Sequence, residues 1–173
     1  MIKHAVISEC GAYRYTLSRT WDETLPRRTW VMLNPSTADA NDDDPTIRRC
    51  INFSKRDGFG GLNVLNLFAF RSPNPADLVS ATDPVGPDNY NRMRSVMLTD
   101  RMRGGQCVVA WGANAMAQDR GDWFASMFSE FDLFCLGRTK TMAPRHPLYV
   151  RGDAPIKTYR LGTEAANKKF GLK

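Results

Sequence analysis

The sequence predicts an α/β fold: a three-layer domain whose short, mostly parallel, four-stranded sheet carries helices on both faces. Two observations predict this class. Short, continuously bulky runs recur along the chain, as expected of strands buried on both faces of a parallel sheet, and segments with helix signals separate them. An N-terminal β-hairpin is predicted in addition, with arms at 4–8 and 12–18 around Gly11. Residues 1–173 are predicted to form one domain.

The order of the elements follows from local signals. The first strand of the parallel sheet, at 29–33, stops at Asn34-Pro35, because proline cannot donate to a β-ladder. Asp44 followed by Pro45 predicts a capped helix start, and this helix is expected to end at Gly58. The later elements are a strand at 63–68, a helix at 88–103, a strand at 106–111, a helical segment at 113–130 that is broken near Gly121, and a strand at 132–136.

Composition and charge narrow the classes of function. Twenty-four Lys and Arg residues against 18 Asp and Glu give a net charge of +6, which fits a polyanionic partner. The four cysteines lack CxxC spacing, so no zinc or iron–sulfur site is predicted. The sequence has no GxGxxG or Walker loop, and no cofactor is predicted. They are typical of the reduced, mostly buried thiols of a cytoplasmic protein. Neither a signal peptide nor an apolar run of about 20 residues is apparent, so no membrane partner is expected.

Loops that follow the carboxyl ends of parallel strands line the ligand crevice of such a sheet. Here these loops carry Asn34, Asn66, Arg71, Arg138 and His146. Asn34 is either a turn residue before proline or a rigid amide aimed into the crevice. Asn66 lies in an apolar strand, so its amide needs a partner, which is either backbone or a ligand. His146 is either a loop residue without a role or a donor to a developing anion.

Four carboxylates follow Asn34, namely Asp39, Asp42, Asp43 and Asp44. Their spacing is not that of an EF-hand, because the sixth and twelfth loop positions are Asp44 and Cys50. Asp44 is predicted to cap the helix, and Asp42 and Asp43 to place favourable charge near its N-terminus. Magnesium held by one or two of these carboxylates is the alternative. Asp39 lies at the mouth of the crevice, where it could contact a substrate or a water.

Four motifs in this order resemble the uracil-DNA glycosylase superfamily. Residues 32–36 (MLNPS) resemble a Gly-Ile-Asn-Pro-Gly stretch, and residues 64–66 (VLN) resemble a strand that ends in an asparagine that recognises the base. Residues 108–115 (VVAWGANA) resemble a structural strand with Trp-Gly, and residues 146–148 (HPL) resemble a His-Pro-Ser loop. Met32 and Leu148 depart from this pattern. The signature LNPSTAD, DDPTIRR, NLFA, WG and HPLY also resembles a small bacterial and phage family of unassigned function, over nearly the whole chain.

The resemblance implies a DNA-repair hydrolase that cleaves the N-glycosidic bond of a modified or damaged base. It implies that Asn34 holds the attacking water, with help from Asp39. It also implies that His146 stabilises the oxygen of the leaving base. The substrate-binding residues would be Asn66, Pro35, Ser36, Phe68, Arg71, Leu148 and Tyr149, with either of the last two as the wedge into the duplex. The DNA phosphates would be contacted by Arg138, Lys140, Arg145 and Arg151. Two alternatives stay open: a non-catalytic nucleic-acid or nucleotide-binding protein of the same fold, and a protein-interaction factor.

Overall fold

The computed structural model describes residues 1–36 and 41–160, which form a mixed α/β structure as the sequence predicts. The strands of the described part are β1 (Ile2–Ile7), β2 (Arg14–Thr20), β3 (Arg27–Met32), β4 (Gly61–Asn66), β5 (Gln106–Val109), β6 (Leu133–Cys135) and β7 (Lys157–Thr158). The helices are α1 (Pro45–Arg56), α2 (Asp77–Ser80), α3 (Asn89–Met102) and α4 (Ala115–Met127), and Pro147–Tyr149 form one 3₁₀ turn.

The sheet is larger than the four predicted strands. Its seven strands run in the order β1-β2-β4-β3-β5-β6-β7 within the described residues. The neighbours from β4 to β6 are parallel. The N-terminal hairpin extends this sheet because β2 pairs antiparallel with β4, where Leu17 lies opposite Val64. At the other edge, β7 pairs antiparallel with β6. Both additions cover edges of the parallel sheet that would otherwise expose unpaired backbone groups.

The hydrophobic core lies on both faces of the sheet. On one face, Ile47 and Phe53 of α1 pack against Trp30 and Val64. On the other face, Met93 and Met97 of α3 and Phe124 of α4 pack against strand residues such as Val31 and Val109. Three layers result, with helices above and below the sheet. Of the four cysteines, Cys50, Cys107 and Cys135 are buried, and none forms a disulfide.

Helix α1 begins as predicted, because the Asp44 side chain accepts a hydrogen bond from Ile47 N at 2.8 Å and Pro45 follows it. Asp43 directly precedes this cap, and its carboxylate also pairs with Arg19 Nε of β2 at 2.7 Å and lies 3.8 Å from Lys3 Nζ. The described residues contain no cluster of three or more side chains that could hold a metal ion.

Helix α4 is continuous, so the predicted break near Gly121 is wrong. Gly121 serves packing instead: a Cβ atom there would lie 2.7 Å from the Trp111 ring, which occupies the space beside the helix. A glycine that lets an aromatic ring approach its helix cannot be distinguished from a helix breaker by sequence alone. Across residues 1–36 and 41–160, every helix is too short or too polar to cross a membrane.

Candidate functional site

A cavity of about 310 Å³ opens where β3, β4 and β5 end. Asn34 and Asn66 reach it from the ends of β3 and β4, Gly112 from the loop after β5, and His146 from the loop after β6. These residues are distant in sequence, and they meet because the carboxyl ends of parallel strands lie at one edge of the sheet. The volume is at the lower end of the range of about 300–1,000 Å³ that ligand pockets occupy.

Asn66 presents a hydrogen-bond donor without a partner in this cavity. The residue is the last of β4 and only 1% exposed. Its Nδ2 atom is buried, and no acceptor in the described part of the chain lies within hydrogen-bonding distance of it. Leaving a buried amide unsatisfied costs about 1–3 kcal/mol. Of the two partners that the sequence left open, the backbone of residues 1–36 and 41–160 supplies none.

Asn34 is held rigidly at the neighbouring strand end. Its Nδ2 donates to the backbone oxygen of Ser72 at 2.9 Å and to that of Pro35 at 3.1 Å. The Ser72 N–H in turn donates to Pro35 O at 3.0 Å, so the loops after β3 and β4 are tied together. This orientation of the amide makes Oδ1 the atom that accepts hydrogen bonds from a ligand or a water in the cavity.

His146 offers a neutral imidazole. Burial lowers its pKa from the ordinary value of 6.5, while the negative charge of Asp44 acts in the opposite direction. Its Nδ1 accepts a long hydrogen bond from Leu148 N at 3.4 Å. The proton of the neutral ring therefore belongs on Nε2, where it is a donor. The Tyr149 ring lies 5.6 Å from the imidazole between centroids.

Two charged residues of the cavity were not predicted to belong to it. Asp44 lines it while capping α1, and Arg14 of β2 lines it although only 2% exposed. Arg14 belongs to the predicted hairpin arm 12–18. It is buried because β2 is an interior strand, between β1 and β4. An Asp-Pro helix start soon after a strand-end loop was the signal that could have pointed to Asp44.

Only some of the predicted substrate-binding residues line the cavity, Asn66 among them. Ser36 and Tyr149 line the cavity, and Tyr149 is 78% exposed at its mouth. Phe68 instead packs in the core beside α3 and α4. Arg71 donates to the backbone oxygen of Gly11 at 3.2 Å. Of the other predicted substrate-binding residues, Pro35 is buried and is not among the described lining residues, and Leu148 is exposed next to Tyr149. Asp39, which was predicted to assist catalysis, lies outside the described residues.

The four predicted phosphate contacts lie on the protein surface near the His146 loop. Arg138 packs over the Tyr159 ring, 4.5 Å from its centroid. Lys140 and Arg145 are exposed, and Arg145 Nε donates to Arg138 O at 3.2 Å. Arg151 forms an exposed ion pair with Asp153 at 3.1 Å. Residues 133–152 contain these four cations and no carboxylate, so this segment is positively charged.

Fold and cavity together define an α/β protein with a polar, ligand-sized pocket at the carboxyl ends of its parallel strands. Residues 14–148 match a family model described as "Protein of unknown function (DUF1643)", and the chain belongs to that family. The matched region includes Arg14, Asn34, Asn66 and His146. No curated protein and no solved structure matches the chain.

Proposed function

We propose that this protein hydrolyses the N-glycosidic bond of a modified or damaged nucleobase in DNA, with a fold like that of the uracil-DNA glycosylase superfamily. One observation carries the proposal: Asn34, Asn66 and His146, the residues that the motif resemblance selects, line the same cavity. The unpartnered Nδ2 of Asn66 supports a flat polar ligand, because the oxygen and nitrogen atoms at the edge of a nucleobase are the acceptors it needs.

In this reaction the bond between C1′ and the base nitrogen breaks, and its electron pair leaves with the base. The sugar becomes cation-like and the base anionic. His146 donates from Nε2 to an oxygen of the departing base, and the nearby positive charge of Arg14 favours the same anion. Removal of one such donor typically lowers the rate about 10²–10³-fold. A neutral imidazole suits this role, since it donates a hydrogen bond at neutral pH without a charge to desolvate.

The attacking water requires an acceptor on the sugar side of the cavity. Asn34 Oδ1 supplies one, and the hydrogen bonds from Nδ2 to Ser72 O and Pro35 O hold that amide in place. An amide orients a water but is too weak a base to take its proton. Asp39, which the sequence proposes as the assisting residue, lies outside the described residues.

DNA as the substrate is supported by charge and by exposure. The carboxylate-free segment 133–152 places Arg138, Lys140 and Arg145 near the His146 loop, where phosphates could be neutralised. A base in a duplex must be rotated out of the stack before it can enter a cavity of this size, at a cost of a few kcal/mol. Tyr149, exposed at the mouth, and the adjacent Leu148 are the side chains suited to fill the space that the base leaves.

The test is incubation with single- and double-stranded oligonucleotides that carry uracil, thymine mismatches, or hydroxymethylated and glycosylated bases, followed by alkaline cleavage. We expect abasic sites with one of these bases. His146→Ala should lower the rate at least about 10²-fold, whereas His4→Ala, which changes the other histidine, on the exposed part of β1, should leave it unchanged.

Three results would point elsewhere. Absence of abasic sites together with hydrolysis of free nucleosides would indicate a nucleoside hydrolase. Salt-dependent DNA binding that survives Asn34→Ala and His146→Ala, without any product, would indicate a non-catalytic binding protein. No DNA retention at moderate salt would leave the protein-interaction alternative.

A further inference from the structure

We infer that Asp44 is a catalytic residue of this cavity, the carboxylate that takes the proton from the attacking water; this inference rests on the proposed function. The sequence predicts that Asp44 caps α1, with magnesium binding by one or two of the neighbouring carboxylates as the alternative. The structure adds that the same side chain lines the cavity together with Asn34, Asn66 and His146.

The cap uses only part of the carboxylate. Oδ1 accepts from Ile47 N at 2.8 Å, which fixes the side chain at the first turn of α1. A carboxylate has two oxygens with about four acceptor positions. Within the described residues no other donor pairs with the Asp44 carboxylate, so acceptor positions on it remain for a water in the cavity. Asp44 is also only partly buried, as a group that exchanges a proton with solvent should be.

The other groups of the cavity are poorly suited to take this proton. Among its described lining residues, the titratable side chains are Arg14, Asp44, His146 and Tyr149. Arginine stays protonated, and tyrosine is protonated near neutral pH. The available acceptor of His146, Nδ1, already faces Leu148 N, and its Nε2 carries the proton needed by the departing base. Among the described lining residues, Asp44 is therefore the group that can serve as the general base.

Two further observations connect Asp44 with a ligand. Asn66, which lines the same cavity, has a buried Nδ2 without a partner in the described chain, so an acceptor bound in this space would satisfy it. The negative charge of Asp44 also acts on the His146 imidazole, which places the proposed base and the proposed donor in one electrostatic environment. A base bound by Asn66 and His146 would leave Asn34 and Asp44, which line the same cavity, to act on the sugar side.

The step balances as follows. A water held by Asn34 Oδ1 gives a proton to the Asp44 carboxylate as its oxygen bonds to C1′. The C1′–N bond breaks, and its electron pair passes to the base, whose oxygen accepts the hydrogen bond from His146. The proton on Asp44 then passes to the released base or to solvent, which restores the carboxylate. No oxidant, reductant or metal enters this sequence.

Asp44→Asn and Asp44→Ser separate catalysis from folding, because Asn and Ser cap helices about as well as Asp. We expect the Tm of both variants to match that of the wild type, and the single-turnover rate of base release to fall about 10²–10⁴-fold. The smaller serine leaves room for an external carboxylate, so formate should restore part of the rate of Asp44→Ser. Asp42→Asn is the matched control, because it removes the same charge from a residue that is not among the described lining residues of the cavity. It should keep full activity.

Each result decides a different point. Activity of Asp44→Asn within a few-fold of wild type would overturn the inference and leave the proposed function standing. A loss of rate accompanied by a lower Tm in both variants and by no response to formate would restrict Asp44 to its cap. A wild type that releases no base from any oligonucleotide would overturn the proposed function, and this assignment with it.

Discussion

Asn89 Nδ2 donates to the backbone oxygen of Asn66 at 3.0 Å, so the first residue of α3 holds the end of β4 at the cavity. The same nitrogen lies 3.3 Å from the backbone oxygen of Leu67, to which Arg120 Nε of α4 also donates at 3.3 Å. Asn89 is fully buried. The position of the Asn66 amide thus depends on helices that pack on the opposite side of the sheet from α1.

Asn89→Leu should destabilise the protein. The substitution leaves the backbone oxygens of Asn66 and Leu67 with fewer donors in a buried place, which costs about 1–3 kcal/mol. Urea unfolding would measure this loss. Asn91→Leu, an exposed position on the same helix, is the matched control and should change the free energy of unfolding by less than about 0.5 kcal/mol. Equal stability of both variants would show that the bond to β4 contributes nothing.

Asn66→Leu should have the opposite effect on the ligand-free protein. It removes a buried donor that has no partner in the described chain, so we expect the free energy of unfolding to stay equal or to rise by about 1 kcal/mol. Ligand binding should be lost in the same variant.

Asn63→Leu is the comparison for Asn66→Leu. Asn63 lies on the same strand, but its Nδ2 donates to the buried Asp100 carboxylate, with the shorter contact at 2.8 Å. Hydrogen bonds to charged groups are worth about 1.5–3 kcal/mol, and a loss of this size is expected. If Asn66→Leu were destabilised as strongly as Asn63→Leu in urea unfolding, the Asn66 amide would have a partner within the protein.

Gly112→Ala should disturb His146 directly. Gly112 has φ +81°, and a Cβ atom there would lie 3.4 Å from the Cβ of His146. Gly104 has a similar φ of +77° but open space around its missing Cβ. Both alanine variants should lose about 1–2 kcal/mol through backbone strain. Only Gly112→Ala should shift the His146 imidazole resonances and slow base release; identical effects in both variants would contradict the contact.

The stability of the protein should depend on pH through His146. Because burial lowers the pKa of His146, the folded state favours the neutral ring. The stabilisation is fully present above the unfolded pKa of about 6.5, and it is lost as pH falls through the lower, folded pKa. His146→Gln should remove this part of the acid destabilisation in urea unfolding across that window.

NMR titration of the imidazole nitrogens measures the same property, with His4→Gln to assign the two histidines. We expect a His146 pKa below 6.5 and a proton on Nε2 in the neutral ring. Asp44→Asn should lower this pKa further, because the carboxylate favours the protonated ring. A pKa above 6.5 would show that nearby negative charge outweighs burial and that His146 reacts as a cation.

Local signals determined a large part of the fold. Bulky runs located β3, β4, β5 and β6 within a few residues, and Asp44-Pro45 located the start of α1, because capping and proline geometry depend only on neighbours in the chain. The same order of strands placed Asn34, Asn66 and His146 on loops at strand ends. Sequence alone could therefore nominate these three residues, together with the positive charge beside them.

Tertiary structure decided which groups face one another. Pairing of β2 with β4 buried Arg14 at the cavity, and the course of the chain after β4 turned Phe68 into the core and Arg71 toward Gly11. Packing between segments far apart in sequence also left Asn66 Nδ2 without a partner among the described residues and brought Asp44 into the lining of the cavity. Whether a polar atom is satisfied is a property of the space around it, and that space is formed only when distant segments pack together.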